Sequence, residues 1–193
     1  MNKSINIRSD DRVLVVGKTG SGKTYASRLL LAKYPRVLYL DSLHRLDMEV
    51  SSKDQANEIM NTEDSFQICV DDNDVFTELV DAQFANGDFV IYIDEVYGIC
   101  PPQKAIPEII NRIWTRGRGN GIGAWAATQR PTWLPIFLLS EAEHYLEFRL
   151  QVEDDRKKIA KIVGPKAMQM PKHEHGFWYF CPSKDTEIYL KEI

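Results

Sequence analysis

A mostly parallel α/β sheet flanked by helices is the architecture this sequence predicts, and three observations lead there. Short apolar runs without polar alternation recur along the chain, as in strands covered on both faces. Stretches of helical periodicity separate them, the order that parallel pairing requires. The composition, 44% hydrophobic and 27% charged over 193 residues, can fill a core and shows none of the apolar depletion of disordered chains. One domain spanning 1–193 is expected.

In chain order, "RVLVV" (12–16), "RVLYL" (36–40), "FQICV" (66–70), "FVIYI" (89–93) and "IGAWAAT" (122–128) read as strands. Helices are expected at 23–33, 53–61, 74–85 and 106–116. After residue 140 the pattern changes to "HYLEFRL", a charged helix "DDRKKIAKIV" and two β-like runs, "GFWYFC" and "TEIYL". Residues 182–185 would turn a C-terminal β-hairpin. The chain shows no internal repeat or low-complexity segment.

Bulk chemistry excludes several classes of function. A net charge of -4 argues against a uniformly basic nucleic-acid coat, though not against a local basic stripe or a ring lumen. Cys69, Cys100 and Cys181 are widely spaced with no C-x-x-C pair, which suggests neither a disulfide framework nor a zinc site and fits a reducing cytosol. No apolar run approaches the roughly 18 to 20 residues of a membrane-spanning helix, and "MNKSINIRSDDR" lacks the hydrophobic segment of a signal peptide. A cytoplasmic protein without an integral membrane segment is expected.

The strongest local signal is "GKTGSGKT", residues 17–24, which matches G-x-x-x-x-G-K-[ST] between an apolar strand and a helical run. Gly17, Gly20 and Gly22 let the backbone wrap so that its N–H groups point at phosphate oxygens, and the helix N-terminus adds a favourable dipole. Gly17, Lys18, Thr19, Gly20, Ser21, Gly22, Lys23, Thr24 and Tyr25 form the expected nucleotide-binding segment. Lys23 would reach the β- and γ-phosphates of ATP, and Thr24 would offer its hydroxyl to Mg²⁺.

"FVIYIDEV" supplies the second half of such a site. A strand delivering Asp94 and Glu95 at its C-terminal end places two carboxylates where ligands bind in open α/β sheets. Asp94 would hold Mg²⁺, and Glu95 would orient and polarise a water for in-line attack. A kinase keeps water from the γ-phosphate and has little use for the second carboxylate, whereas a hydrolase needs it. The pattern predicts a RecA-like P-loop NTPase of the additional-strand, catalytic-Glu type. The strand at 122–128 ends at Thr128 and Gln129, where a neutral amide can hydrogen-bond the γ-phosphate or attacking water; a capping amide is the plainer reading.

"GKTGSGKT", "IYIDEV" and "RGNGIGAWAATQRP", in this order and spacing, resemble the FtsK/HerA superfamily of DNA-translocating ATPases, including the small genome-packaging ATPases of viruses with double jelly-roll capsids. The resemblance spans residues 12 to about 160. It implies an ATPase coupled to translocation of double-stranded DNA, working as a homo-oligomeric ring, pentamer or hexamer, with capsid vertex proteins as further partners and a cytoplasmic or virion-associated location. Only about a dozen residues precede the first strand, so the chain resembles a bare viral packaging motor more than larger members with membrane segments or added domains. A plasmid or mobile-element translocase, a small P-loop nucleotide kinase and a nucleotide-switched assembly scaffold remain as alternatives.

The resemblance places Arg118 where the family has an arginine that reaches the neighbouring subunit's nucleotide. Flanked by Gly117 and Gly119, Arg118 is expected to face solvent on a flexible turn. Arg116 competes for the role, since it could equally serve the dipole at the helix end, and Arg149 is a further alternative. Lys157, Lys158 and Lys161 read as a solvated helix face, and His44 and Arg45 as candidates for a ring lumen. His173 and His175 lack the cysteine partners of a zinc site. Trp125, Trp133 and Trp178 read as packing residues.

Overall fold

The computed structural model describes residues 5–191; residues 1–4 of the N-terminal segment and the last two of the chain lie outside the described part. In chain order the elements are β1 (Arg12–Val16), α1 (Lys23–Leu31), β2 (Arg36–Leu40), α2 (Lys53–Thr62), β3 (Phe66–Val70), α3 (Asn73–Gln83) and β4 (Val90–Ile93). They continue with α4 (Glu108–Arg116), β5 (Gly123–Thr128), α5 (Ile136–Ser140), β6 (His144–Glu147), α6 (Glu153–Val163), β7 (Phe177–Cys181) and β8 (Thr186–Leu190). The eight strands form one sheet in the order β3-β2-β4-β5-β1-β6-β7-β8. The first six of these pair in parallel, and β7 and β8 close the edge as an antiparallel hairpin.

The uniform apolarity of the strands follows from burial on both faces. Leu14 and Val16 of β1 join the cluster under α2 to α6, with Ile113 and Trp114 of α4 and Ile159 of α6. Val13 and Val15 point to the other face, under α1, with Ala26 and Leu31. At about 25 cal/mol per Å² of apolar surface, each such side chain contributes about 1.5–3 kcal/mol, and alternating residues contribute on opposite faces.

Local signals set the helix boundaries. The Ser52 hydroxyl accepts from the Gln55 N–H, and the Gln55 side chain returns to the Ser52 N–H, so α2 begins in a capping box. Asp72 accepts from the N–H groups of Asp74 and Val75 and starts α3 one residue earlier than expected. Pro107 holds an extended conformation, which moves the start of α4 from 106 to Glu108.

β5, a strand late in sequence, lies between β1 and β4. The phosphate loop after β1 and the carboxylates after β4 are therefore separated by one strand, whose C-terminal end faces the gap between them. That is the additional-strand arrangement the sequence predicts.

Candidate active site

Parallel pairing puts the ends of β1, β4 and β5 on one edge, and the loop 17–22 crosses it. The Gly17 N–H donates to the Thr128 carbonyl (3.2 Å) and the Lys18 N–H to the Arg149 carbonyl (2.7 Å), so both neighbouring strands brace the loop. A Cβ on Gly17 would lie 2.6 Å from Cβ of Phe148 and 2.8 Å from Oγ of Ser21, closer than real contacts allow. Gly22 has φ 99°, which side chains resist. The Ser21 hydroxyl donates to the Lys18 carbonyl at 2.8 Å and closes the turn.

Lys23 is buried, and its ammonium donates to the carbonyls of Gly17 (2.7 Å) and Lys18 (3.1 Å). Burial pushes this ammonium below the usual lysine value, while Glu95 and Asp94 oppose that push and Arg45 adds to it. A cation folded back on its own loop carbonyls is poised to turn outward to a stronger acceptor.

Thr24, Tyr92 and Asp94 meet on the α1 side of the sheet. The Tyr92 hydroxyl donates to Oδ1 of Asp94 at 2.9 Å, and the Thr24 hydroxyl lies 3.4 Å from the same oxygen. Oδ2 of Asp94 is buried with no hydrogen-bond partner among the described residues. Burial raises the Asp94 carboxyl above its ordinary value, against the Tyr92 hydrogen bond, which lowers it. An orphaned carboxylate oxygen beside a threonine hydroxyl suits a hard divalent cation, which would supply the missing partner. Among the described residues no cluster of three or more His, Cys, Asp or Glu forms an all-protein metal cage. A magnesium ion held by one carboxylate, one hydroxyl and substrate phosphates needs no such cage.

Glu95 is only 1% exposed and sits in the left-handed region at φ 54°, ψ 68°, which costs a non-glycine residue about 1–2 kcal/mol. Its Oε1 accepts from the Arg45 guanidinium at 3.2 Å and its Oε2 from the Gln129 N–H at 3.3 Å. The Gln129 side chain accepts from the Thr19 hydroxyl at 2.5 Å. Gln129 thus links the phosphate loop to the Glu95 carboxylate. Thr19 and Tyr25 are exposed at the mouth of a cavity of about 530 Å³ that Gly20, Gly22, Lys23 and Thr24 also line.

Beyond the phosphate loop and α1, four further residues, Arg45, Phe148, His175 and Phe177, line the cavity without a place in the site the sequence predicts. Arg45, expected as a lumen candidate, faces this cavity instead, because β2 lies beside β4 and its C-terminal loop reaches the same edge. His175 and Phe177 line it too, with Phe148. A hairpin is legible at 177–190, but only antiparallel pairing with β6 brings its first residues to the phosphate-loop edge. His173 bonds to the Tyr189 hydroxyl at 2.9 Å and stays outside the cavity.

The arginine turn differs from expectation. Arg118 is not loose: its guanidinium bridges Asp11 (2.8 Å), Glu143 (2.5 Å) and Asp10 (3.7 Å), and its carbonyl accepts from the Gly121 N–H at 3.0 Å. These carboxylates precede β1 and β6, so Arg118 sits at the N-terminal ends of the strands. About 17 Å of strand separates it from the phosphate loop of its own chain. Arg116 ends α4 on that same edge, exposed and without an ion pair or hydrogen bond from its side chain among the described residues. Neither arginine reaches the site of its own chain, whereas Arg149 adjoins the phosphate loop through its carbonyl.

Other expectations sort by contact. Lys158 is no free solvated cation; it donates to the carbonyls of Thr132 and Leu134 (3.1 and 2.5 Å) and ties α6 to the turn after Gln129. Lys157 pairs with Glu153 on the helix surface. Trp125 is buried, edge-on to Tyr34, and Trp178 packs on Phe180. Trp133 is 43% exposed, with the Arg130 guanidinium 4.9 Å over its ring. Cys69, Cys100 and Cys181 are free and buried.

Fold and site together define a P-loop ATPase of the additional-strand class in which a glutamate, Glu95, directly follows the aspartate after β4. The chain is 32% identical over 174 residues to the DNA packaging ATPase P9 of Enterobacteria phage PRD1, which spans 83% of this chain and 74% of that protein. It belongs to that family of viral DNA-packaging ATPases. Among solved structures, the genome packaging NTPase B204 of Sulfolobus turreted icosahedral virus 2, in complex with AMPPCP, matches with a TM-score of 0.77 and 20% identity over 97% of this chain and 100% of that one. The conjugation coupling protein TcpA of pCW3, with ATPγS, matches with a TM-score of 0.62 and 15% identity over 95% of this chain and 60% of that one. These two likenesses are of fold. No protein-family model matches the chain.

Proposed function

We propose that the protein is the ATP-hydrolysing motor that drives double-stranded DNA into a viral capsid, and that it works as a homo-oligomeric ring. The observation that carries the reading is the Asp94–Glu95 pair opposite the phosphate loop, with Gln129 bridging the two, in a chain of the packaging-ATPase family. On this reading the backbone N–H groups of residues 17–24 cradle the phosphates of ATP, and Lys23 leaves its loop carbonyls for the β- and γ-phosphates. Thr24 and Asp94 would hold Mg²⁺, which would supply charge neutralisation at the phosphates. Glu95 orients the attacking water and accepts its proton, and Gln129 reports the loss of the γ-phosphate to Thr19 and to the segment after β5.

Among the described residues Arg45 is the one arginine that lines this cavity, and a second arginine at the transition state would have to come from elsewhere. Arg116 and Arg118 lie on the opposite edge of the sheet, where a neighbouring subunit would have to receive them. Arg116, whose side chain has no partner to leave among the described residues, fits the trans-acting role better than Arg118, which would have to break its ion pairs with Asp11 and Glu143. The ring acts in the host cytoplasm, at a capsid vertex.

ATP hydrolysis measured with and without double-stranded DNA, together with the mass of the assembly, tests the proposal. Turnover stimulated by DNA in an oligomer supports it. Phosphate transfer to a nucleoside acceptor, or slow turnover indifferent to DNA, would refute it in favour of a kinase or a switched scaffold.

A further inference from the structure

Arg45 has no part in the P-loop signature, yet its guanidinium holds the carboxylate assigned to hydrolysis. It lies between two residues in the left-handed region, His44 (φ 50°) and Asp47 (φ 51°). The next residue, Leu46, is buried, with its N–H donated to Asp41 (2.6 Å) and its carbonyl accepting from Arg28 (2.5 Å). The backbone beside Arg45 is therefore anchored. The side chain, 35% exposed, spans from that anchor to Glu95 and lines the cavity with Lys23 and Thr24.

Two cations, Lys23 and Arg45, thus face one cavity. Neither is held by a full complement of charged acceptors: Lys23 donates to neutral loop carbonyls, and Arg45 makes one contact with a carboxylate that also accepts from the Gln129 N–H. The two repel each other, since Arg45 is among the influences lowering the Lys23 ammonium. A polyanion in the cavity would relieve that repulsion and offer Arg45 a bidentate partner.

We propose that Arg45 is the residue by which this site tells a nucleoside triphosphate from a diphosphate, its guanidinium leaving Glu95 for the terminal phosphate. The inference rests on the active-site reading above and adds a consequence to it. With only a diphosphate bound, Arg45 stays on Glu95 and the carboxylate is held. With a triphosphate, the exchange frees Glu95 to take the water. The site then arms itself only when there is a phosphate to cleave.

The test is calorimetric binding of ATPγS and of ADP, each with Mg²⁺, to the full chain, read as the ratio of the two affinities. Arg45→Ala should lower the preference for ATPγS about tenfold or more while leaving ADP within about twofold, as expected for one lost charge-assisted contact to the terminal phosphate. Arg45→Lys should keep part of the preference. Glu95→Gln, which removes the competing carboxylate, should raise it, and that rise should vanish in the Arg45→Ala/Glu95→Gln double variant. Equal loss of both nucleotides in Arg45→Ala, or an unaltered ratio, would overturn the assignment of Arg45 alone. Failure of the unaltered chain to bind either nucleotide would overturn the active-site reading with it.

Discussion

Lys23, Asp94 and Glu95 hold charges or potential charges in places water scarcely reaches, and the roles proposed for Lys23 and Glu95 give each a distinct signature when removed. Lys23→Ala takes away the cation that would compensate phosphate and should abolish nucleotide binding, measurable with a fluorescent ATP analogue. Glu95→Gln keeps the shape and the phosphate site, so it should bind ATP while turnover falls about 10²–10⁴-fold. Rapid turnover by Glu95→Gln would contradict the assignment. Glu147 makes a separate prediction. It ends β6 beside Val16, 1% exposed, with Oε2 unpartnered among the described residues, and burial pushes its carboxyl from 4.5 up to about 9. A carboxyl raised on folding contributes stability that is complete below its unfolded value and is lost as pH climbs through the folded one. Thermal stability should therefore decline between about pH 5 and about pH 9 from this group, and Glu147→Gln, which cannot ionise, should flatten the decline. An unchanged slope in the variant would sink this account.

At the scale of elements, the turn between α4 and β5 carries two arginines with different surroundings in one glycine-rich string. Arg118 pins the starts of β1 and β6 through Asp11 and Glu143, so Arg118→Ala should cost about 1 kcal/mol of stability, discounted for the exposure of the guanidinium, and should be seen in urea unfolding. Arg116→Ala should leave stability unchanged and, as a trans-acting group, cost about 10³–10⁵ in turnover. Mixing Arg116→Ala subunits with Glu95→Gln subunits should restore some activity where an intact Glu95 faces an intact Arg116. No recovery in confirmed mixed assemblies would remove Arg116 from the role. The strands were legible because two-sided burial leaves uninterrupted apolar runs such as "RVLVV", and the phosphate loop because its backbone path demands glycines at fixed spacing. Arg45 and His175 were not, since only the pairing of β2 with β4 and of β7 with β6 carries their loops to the site. The ion pairs that hold Arg118 were not legible either, because its partners Asp11 and Glu143 are remote in sequence.

For the whole molecule, one continuous sheet carries the proposed catalytic groups at one end of its strands and Arg116, whose side chain has no partner among the described residues, at the other, a polarity suited to head-to-tail assembly in which each site is completed by a neighbour. Activity should accordingly rise more steeply than linearly with protein concentration until assembly is complete. With a net charge of -4, any DNA contact must come from basic groups gathered on one surface, and binding should weaken linearly in log salt without preference for duplex sequence. The most direct measurement of the central claim is displacement of a triplex-forming strand from the far end of a linear duplex, which reports movement along DNA and not merely hydrolysis. The unaltered protein with ATP and Mg²⁺ should displace the strand, while the protein with ATPγS and the Glu95→Gln variant with ATP should bind the duplex and leave the strand in place. Vigorous ATP hydrolysis on that duplex with no displacement would contradict the account.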